Sequence, residues 1–205
     1  MFIAFEGIDG SGKSTQMQLL AEKLTVAGHQ VHTTFEPTDG YIGSIIRKIL
    51  KGQMKADERT IAGLFVADRL DHLLNEENGI LKKLDEGFVV ITDRYYFSSY
   101  AYHGSHMDID WVISANAMSA RILRPDINIF IDISPEIAIQ RLNANRDKIE
   151  LYESLENLKN VRDKYFESFE KLMDEEQIII IDGNPSTGKI AEEIWEKVNQ
   201  RYLSK

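Results

Sequence analysis

The chain has 205 residues, of which 43% are hydrophobic and 28% charged, the composition of one ordinary globular domain. Its net charge is −9, from 24 Lys and Arg against 33 Asp and Glu, which argues against duplex nucleic acid as a partner because that affinity comes mostly from cations. Cysteine is absent, which excludes disulfides and thiolate metal sites and fits a cytoplasmic location. We expect no membrane span and no secretory signal, since no long apolar stretch occurs.

Short apolar runs alternate along the chain with segments of helical periodicity. The runs are rich in β-branched and aromatic residues and cover 1–5, 30–35, 88–92, 127–133 and 177–182. Nearly continuous apolar runs are typical of strands buried on both faces of a parallel sheet. The weakest run, 30–35, is expected at an edge of the sheet.

The segments between these runs predict helices. One follows the glycine-rich stretch at 7–15, and another covers 42–50, where isoleucines recur at helical spacing and Gly52 is placed to end the helix. Further helices are predicted from Asp57 to about 78, from Asp108 or Asp110 to about 123, from Pro135 onward, over 153–176 and over 187–203. Strands that alternate with helices predict a doubly wound α/β fold.

The stretch GIDGSGKST, residues 7–15, matches the pattern G-x-x-x-x-G-K-[ST] between a predicted strand and a predicted helix. Its glycines let backbone N–H groups face phosphate oxygens, and the start of the following helix adds positive potential. Lys13 is predicted to reach the β- and γ-phosphates of a nucleoside triphosphate, and the Ser14 hydroxyl to bind Mg²⁺.

A second match, GNPSTGKI at 183–190, also follows a predicted strand. It has Ile190 in place of the magnesium-binding hydroxyl, and Pro185 removes one N–H donor. We interpret it as an ordinary strand-to-helix turn with Ser186 or Thr187 as the helix cap.

Polar residues follow the apolar run at 88–92, in the segment VVITDRYYFSSYAYHG. Asp93 ends the predicted strand and could hold Mg²⁺ through water. Arg94 comes next, at the end of a parallel strand where ligands bind, and a buried arginine requires an anion. Hydroxyls and aromatic faces follow at Tyr95, Ser98, Ser99 and Tyr102. The alternative is a structural salt bridge with core tyrosines.

Phe65 and Arg69 are four residues apart and therefore share one face of a predicted helix. An aromatic plane beside a guanidinium suits a nucleotide base. The alternative is a surface network of Asp68, Arg69 and His72. Arg47, on the polar side of the 42–50 helix, is a further basic candidate.

These residues together resemble thymidylate kinase, the P-loop family that phosphorylates dTMP with ATP. The resemblance covers nearly the whole chain, and its carriers are FEGIDGSGKST, EPT, LFVADRLDHL, DRYYFSSYAYHG, RPDINIFIDISPE and RLNANRDKIELYE. It implies an α/β P-loop kinase fold, with a five-stranded parallel sheet flanked by helices on both faces. It also implies a single domain over 1–205 with a mobile lid at 141–153, Mg²⁺ as cofactor, dTMP and ATP as substrates, and a homodimer.

The resemblance implies a role for each matching position. ATP is bound by Gly7, Ile8, Asp9, Gly10, Ser11, Gly12, Lys13, Ser14, Thr15 and Arg141. The substrate dTMP is bound by Asp9, Glu36, Pro37, Arg47, Phe65, Arg69, Arg94, Ser99, Tyr102 and His103. The catalytic residues are Asp9, Lys13, Arg94 and Arg146, and Mg²⁺ is held by Ser14 and Asp93.

Some of these roles are specific. Asp9 is similar to the family's acid near the sugar 3′-hydroxyl and the acceptor phosphate. Phe65 is similar to the ring that stacks on thymine, with Arg69 as the polar contact of the base. Tyr102 is placed to disfavour a 2′-hydroxyl, which implies a deoxyribose substrate.

The catalytic cation needs a separate source. Some family members carry an arginine directly after the loop acid, where this chain has Gly10. The charge on the transferring phosphoryl group must then be met by a lid residue, because cations in a dry site stabilise it. Arg146 is the first candidate, followed by Arg141 and Lys148.

Three positions depart from the family pattern. Phe35 stands where an arginine often precedes Glu36, His103 where a Gln, Asn, Ser or Thr is common, and Glu150 where some relatives have a second lid arginine. Because of His103, an alternative is that the chain is a kinase for another pyrimidine deoxynucleotide. A nucleotide-binding switch is a further alternative, against which the missing guanine and switch motifs argue.

Overall fold

The computed structural model describes residues 1–145, 151–152 and 154–200. Within these ranges the strands are β1 (Phe2–Glu6), β2 (Val31–Phe35), β3 (Val89–Asp93), β4 (Ile127–Asp132) and β5 (Ile178–Asp182). The helices are α1 (Lys13–Val26), α2 (Tyr41–Leu50), α3 (Glu58–Leu74), α4 (Ile80–Asp85), α5 (Tyr96–Gly104), α6 (Ile109–Ile122), α7 (Pro135–Asn145), α8 (Leu155–Leu172) and α9 (Thr187–Val198). None of these helices is long and apolar enough to cross a membrane.

All five strands pair in parallel, in the order β2-β3-β1-β4-β5. The central strand β1 is buried along its whole length, and its Ile3 lies between Ile91 of β3 and Ile127 of β4. A strand covered on both faces has no polar side, which explains its continuous apolar sequence. The half-exposed β2 lies at one edge, as its weaker apolar run predicted.

Helices cover both faces of the sheet and form two hydrophobic cores with it. On one face, Leu24 of α1 and Ile194 of α9 pack with Ile3 of β1. On the other face, Phe97 of α5 and Phe169 of α8 pack edge to face with their ring centroids 5.1 Å apart. The predicted α/β fold, with a five-stranded parallel sheet flanked by helices on both faces, is confirmed.

Several predicted helix boundaries are confirmed by their local contacts. Asp57 and Asp108 precede α3 and α6, and their carboxylates accept backbone N–H groups of the first turn at 3.0 and 2.9 Å. Gly52 follows the end of α2 with φ 68°, the left-handed conformation expected after a helix. Pro135 is the first residue of α7, where its missing N–H costs nothing.

Four details of the helix prediction are wrong, and one of them is that the short helix α4 was not predicted. The helix α3 ends at Leu74 instead of 78, because the Asn75 side chain accepts the N–H groups of Glu77 and Asn78 at 3.0 and 3.2 Å and turns the chain. The helix α8 ends at Leu172 instead of 176. The helix α5 was not predicted, because all nine of its residues are buried and no amphipathic period marks it.

Because all strands run in the same direction, the loops that carry polar residues lie together at the carboxyl ends of the strands. The loop at 7–15 follows β1, Arg94 follows β3, α7 follows β4 and the turn at 183–186 follows β5. Of the predicted lid, 141–145 form the end of α7, while 146–150 and 153 lie outside the described residues. The predicted site residue Arg146 is among these.

Candidate active site at the carboxyl edge of the sheet

The loop between β1 and α1 has the backbone of a phosphate-binding loop. Gly10 and Gly12 have φ values of 79° and 95°, which side-chain-bearing residues rarely adopt. The Nζ of Lys13 folds back and donates to the carbonyl of Ile8 at 3.0 Å. Burial and the nearby Arg94 lower the pKa of Lys13 to about 8, so an anion bound here would favour its charged form.

The helix α7 packs directly against the loop at Gly10. A Cβ at this position would lie 2.7 Å from the carbonyl oxygen of Ala138 and 3.2 Å from the side chain of Leu142. Because the nearest atom belongs to a helix backbone, a side chain fits at Gly10 only if α7 moves. An arginine directly after Asp9 would therefore clash with α7 in its present position.

Ser14 and Asp93 form a pair of oxygen ligands at the base of the loop. The Ser14 hydroxyl donates to the Asp93 carboxylate at 2.5 Å, although the two residues are 79 positions apart in the chain. A hydroxyl and a carboxylate oxygen are ligands that suit Mg²⁺, which takes its other ligands from phosphates and water. This donor set therefore fits the predicted metal.

A large cavity, called here the loop cleft, lies in front of the phosphate loop. It is lined by loop residues 9–17, by Phe35, Glu36, Asp93 and Arg94, by Arg141 and Leu142, and by Gly183, Pro185, Thr187 and Ile190. All predicted ATP-binding residues except Gly7 and Ile8 line it. Those two continue directly from β1 into the loop.

The second glycine-rich turn lines the same cleft, which the sequence did not predict. It is a strand-to-helix turn, as interpreted, and Ser186 takes the cap position before α9 without a side-chain hydrogen bond. The side chain of Arg141 donates to the carbonyl of Gly183 at 2.9 Å, and Gln16 donates to the carbonyl of Thr187 at 3.0 Å. These contacts join the turn to α7 and α1.

A smaller cavity, called here the aromatic pocket, adjoins the loop cleft. It is lined by Asp9, Pro37, Leu50, Phe65, Arg94, Ser98, Ser99, Tyr102, His103, Leu151 and Tyr152. Seven of these lining residues belong to the predicted substrate-binding set: Asp9, Pro37, Phe65, Arg94, Ser99, Tyr102 and His103. The structure therefore brings together these seven residues from four separate segments of the chain.

Asp9 and Arg94 line both cavities and lie where the two meet. An Arg94 Nη2 donates to the Asp9 carboxylate at 2.5 Å, and Tyr102 donates its hydroxyl to the same carboxylate at 2.8 Å. Burial raises the pKa of Asp9, but the charges of Arg94 and Lys13 outweigh it, so the net shift is downward and the carboxylate stays ionised. Arg94 is also the one described non-glycine residue with positive φ, at 75°.

His103 lies beside Phe65 in the aromatic pocket, with the two ring centroids 5.1 Å apart. The imidazole is almost wholly buried, and its Nδ1 has no hydrogen-bond partner among the described residues. Burial, assisted by the charge of Arg69, lowers the pKa of His103 to about 3. The ring is therefore neutral at physiological pH and offers one donor and one acceptor.

Arg69 lies beneath the aromatic pocket and does not line it. It donates to the Glu36 carboxylate through Nε at 2.9 Å and through Nη2 at 2.5 Å, and also to Ser99, Asn116 and the carbonyl of Tyr95. All five N–H groups of the guanidinium thus have protein acceptors. The Glu36 side chain is also buried and contacts His72 at 3.1 Å, although Glu36 borders the loop cleft.

Arg47 also lies outside the lining of the aromatic pocket. Its guanidinium donates to the carbonyls of Pro37 and Thr38 and lies 3.5 Å from the carboxylate of Asp39. The Arg47 side chain thereby ties α2 to the segment that follows β2. It supports the position of Pro37 in the pocket wall.

Comparison with known proteins agrees with this geometry. The sequence profile of the family described as thymidylate kinase matches residues 5–194. The chain belongs to the thymidylate kinase family. The predicted family, the kinase fold and the class of enzyme are confirmed, and the alternative of a nucleotide-binding switch is not favoured.

Individual thymidylate kinase relatives match over almost their whole length. A "Probable thymidylate kinase" of Methanocaldococcus jannaschii is 39% identical over 97% of this chain and 93% of its own. Proteins with the same description from Methanococcus aeolicus and Pyrobaculum calidifontis are 37% and 36% identical, over 98% and 100% of this chain and 97% and 98% of their own.

Four residues of the aromatic pocket were absent from the predicted site of this thymidylate kinase family member. They are Leu50, Ser98, Leu151 and Tyr152. Leu50 belongs to the apolar stripe of α2, so its spacing assigned it to a core. Tyr152 donates to Glu58 at 2.7 Å and lies edge to face with Tyr102, contacts that no local pattern reveals.

Proposed function

We propose that this chain transfers the γ-phosphate of ATP to dTMP, giving ADP and dTDP, with ATP in the loop cleft and dTMP in the aromatic pocket. The observation that carries the proposal is that Asp9 and Arg94 line both cavities. A phosphoryl group can pass directly between two anions only where their sites meet and cations face both. Membership of the thymidylate kinase family supports the same reaction.

The loop cleft holds the donor in this proposal. Backbone N–H groups of residues 7–15 and the start of α1 face the β- and γ-phosphates, and Lys13 meets their charge. Ser14 and Asp93 hold Mg²⁺, which supplies charge neutralisation at those phosphates when bound. Arg141, which lines the cleft from α7, contacts the bound nucleotide.

The aromatic pocket holds the acceptor. Phe65 stacks on the base, His103 and Ser99 contact its polar edge or the sugar, and Tyr102 closes the space that a 2′-hydroxyl would need. Arg94 binds the acceptor phosphate, and Asp9 lies near the 3′-hydroxyl. Because the two sites meet, the phosphoryl group can pass directly from donor to acceptor and no covalent enzyme intermediate is needed. Fixed groups of the protein balance the charges.

Four residues of the predicted substrate-binding set remain: Glu36, Pro37, Arg47 and Arg69. Their proposed role is to form or support the wall of the aromatic pocket. Glu36 and Arg69 form the buried pair beneath it, and Arg47 holds the segment that carries Pro37. Direct contact of Arg69 with the base would require it to give up a protein acceptor. Its proposed role is therefore to support the pocket by holding Glu36 and Ser99.

A lid cation completes the proposed mechanism. The packing of α7 against Gly10 leaves no room for a side chain there unless α7 moves, which supports the assignment of this charge to the lid. Arg146, outside the described residues, is the proposed catalytic cation. If Arg146→Ala left turnover almost unchanged, the charge would have to come from Arg141 or Lys148.

We also propose a cytoplasmic homodimer. Large apolar side chains are exposed on α2, α3 and α6, namely Tyr41, Ile45, Leu74, Trp111 and Met118. Exposed apolar area of this kind on neighbouring helices is typical of an interface between subunits. Sedimentation of the purified chain tests this directly, and a monomer at micromolar concentration would contradict it.

The reaction is tested by ADP release from ATP and Mg²⁺ with dTMP, dUMP, dCMP, UMP or no acceptor. Turnover with dTMP well above the others is the expected result. Preference for another acceptor would retain the kinase chemistry but assign a different nucleotide to the aromatic pocket. The unusual residue His103 leaves this outcome open. ADP release independent of any acceptor would contradict the proposal.

The metal site is tested in the same assay. Ser14→Ala should raise the Mg²⁺ concentration that gives half-maximal rate, because one oxygen ligand is lost. Ser44→Ala, on α2 and outside the lining of both cavities, is the matched control and should leave this concentration unchanged. An unchanged magnesium dependence in Ser14→Ala would contradict the assignment of the hydroxyl as a ligand.

A further inference from the structure

Glu6 is a fully buried carboxylate directly before the phosphate loop, at the end of β1. It accepts three hydrogen bonds from other segments of the chain. One oxygen accepts the backbone N–H of Tyr95 at 2.9 Å, and the other accepts the hydroxyls of Ser98 and Tyr165 at 2.6 and 3.0 Å. None of the roles assigned above uses this group.

All three donors that hold Glu6 are also neighbours of Arg94. Tyr95 follows Arg94 in the chain, so Glu6 fixes the backbone immediately after the strained left-handed residue. Arg94 donates through Nη1 to the Ser98 hydroxyl at 2.9 Å and to the Tyr165 hydroxyl at 3.4 Å. Glu6 is therefore linked to both the backbone and the guanidinium of Arg94 through shared hydrogen-bond partners.

The carboxyl of Glu6 can change its charge near neutral pH. Burial raises its pKa to about 7, although Ser98, Arg94 and the other donors lower it in part. The titratable side chains that interact with it come from α1, from the β3–α5 segment and from α8: Lys13, Arg94, Tyr100 and Tyr165.

Protonation of Glu6 changes the hydrogen bonds that orient Arg94. A neutral carboxyl group carries an O–H that needs an acceptor, and the nearby oxygens are the hydroxyls of Ser98 and Tyr165. If either accepts from Glu6, it must redirect its own proton toward another acceptor. The negative charge that faces Arg94 and Lys13 is lost at the same time.

We propose that the ionised Glu6 is a positioning residue that holds Arg94 in the orientation required for phosphoryl transfer, so that its protonation switches the kinase to a slow form. The proposal rests on the function proposed above for Arg94. It assigns Glu6 no contact with either substrate. Loss of the Glu6 charge should therefore lower kcat while leaving the KM for ATP nearly unchanged.

The test compares kcat from pH 5.5 to 9, at saturating ATP and dTMP, in the unmodified protein, Glu6→Gln and Glu176→Gln. Glu176 is the matched control because it is also a buried carboxylate, held by Tyr96, Arg124 and Asn128, and lines neither cavity. Both variants replace a carboxylate that only accepts hydrogen bonds by an amide whose NH2 group faces donors, so both should lose stability.

The unmodified protein and Glu176→Gln should show the same fall in kcat as the pH decreases through about 7. Glu6→Gln should be about 10- to 100-fold slower at pH 8, as expected for a misplaced catalytic group, and should lack that fall. The phosphate of the acceptor titrates near pH 6, so only the difference between the profiles is informative.

A conservative variant keeps the test decisive if Glu6→Gln does not fold. Glu6→Asp retains the charge and should recover part of kcat together with the fall at low pH. An unchanged low-pH fall in Glu6→Gln, or a flat profile in Glu6→Asp at full kcat, would overturn the proposal. Absence of dTMP-dependent ADP release in the unmodified protein would instead overturn the proposed function.

Discussion

The Arg94 guanidinium lies 2.5 Å from the Asp9 carboxylate at the junction of the loop cleft and the aromatic pocket. In the absence of substrates, each charge compensates the other in a mostly buried position. A bound acceptor phosphate would compete with Asp9 for the same cation. If Arg94 binds the acceptor phosphate as proposed, this pair would couple that binding to the phosphate loop.

Asp9→Asn should lower kcat about 100-fold, because it removes a fixed charge at the reacting phosphates and frees Arg94 from its partner. Steady-state kinetics with dTMP measure the effect. The matched control is Asp39→Asn, which removes the partner of Arg47 at an exposed site and should change kcat less than twofold. Equal effects of the two substitutions would contradict a catalytic role for Asp9.

Gly10→Ala should destabilise the fold by about 1–3 kcal/mol, because its Cβ meets the α7 backbone and its φ is positive. Urea unfolding gives the free energy. Gly63→Ala is the control: this glycine lies within α3, with no atom within 4 Å of an added Cβ, so the change should stabilise by about 0.5–1 kcal/mol. An unchanged free energy of unfolding in Gly10→Ala would show that α7 moves at little cost to accommodate the added Cβ.

Arg69→Met should destabilise the fold by about 3–5 kcal/mol, because it leaves the Glu36 carboxylate buried without its cation. The control Arg59→Met removes an exposed ion pair with Asp57, which solvent screens, and should change the free energy of unfolding far less. Denaturant unfolding of both variants measures the difference. A stable Arg69→Met with a raised KM for dTMP would instead indicate direct recognition of the base.

The same pair predicts a loss of stability in acid. Burial raises the pKa of Glu36, but Arg69 and His72 outweigh it, so the folded pKa lies below the usual value of 4.5. The stabilisation is complete above that value and is lost as the pH falls through the lower pKa of the folded state. The free energy of unfolding of Glu36→Gln should accordingly change less between pH 5 and 3 than that of the unmodified protein.

His103 predicts a second pH effect at higher pH. Its folded pKa of about 3 lies below the unfolded value of 6.5, so the unfolded chain binds a proton first as the pH falls below 6.5. The free energy of unfolding should fall by about 2 kcal/mol from this group between pH 6.5 and 5. His103→Gln should remove that part of the slope, and an identical slope in both proteins would contradict the burial of a neutral imidazole.

The phosphate loop could be predicted from nine consecutive residues because its function resides in local backbone geometry. Glycines, a lysine and a hydroxyl at fixed spacing suffice to indicate it, and the apolar runs likewise predicted all five strands. The second glycine-rich turn, at 183–190, could be predicted only in part. Its motif was correctly interpreted as a turn, but its position beside the loop cleft depends on the neighbouring strands and helices.

The surroundings of buried polar groups could not be predicted in this way. Arg69 was expected beside a base, yet its position below the pocket follows from the packing of α3 against α5 and α6. Glu6 is bonded to Tyr95 and Tyr165, which are 89 and 159 positions away in the chain. The pKa of a carboxylate depends on desolvation and on such distant donors, and these exist only after the chain has folded.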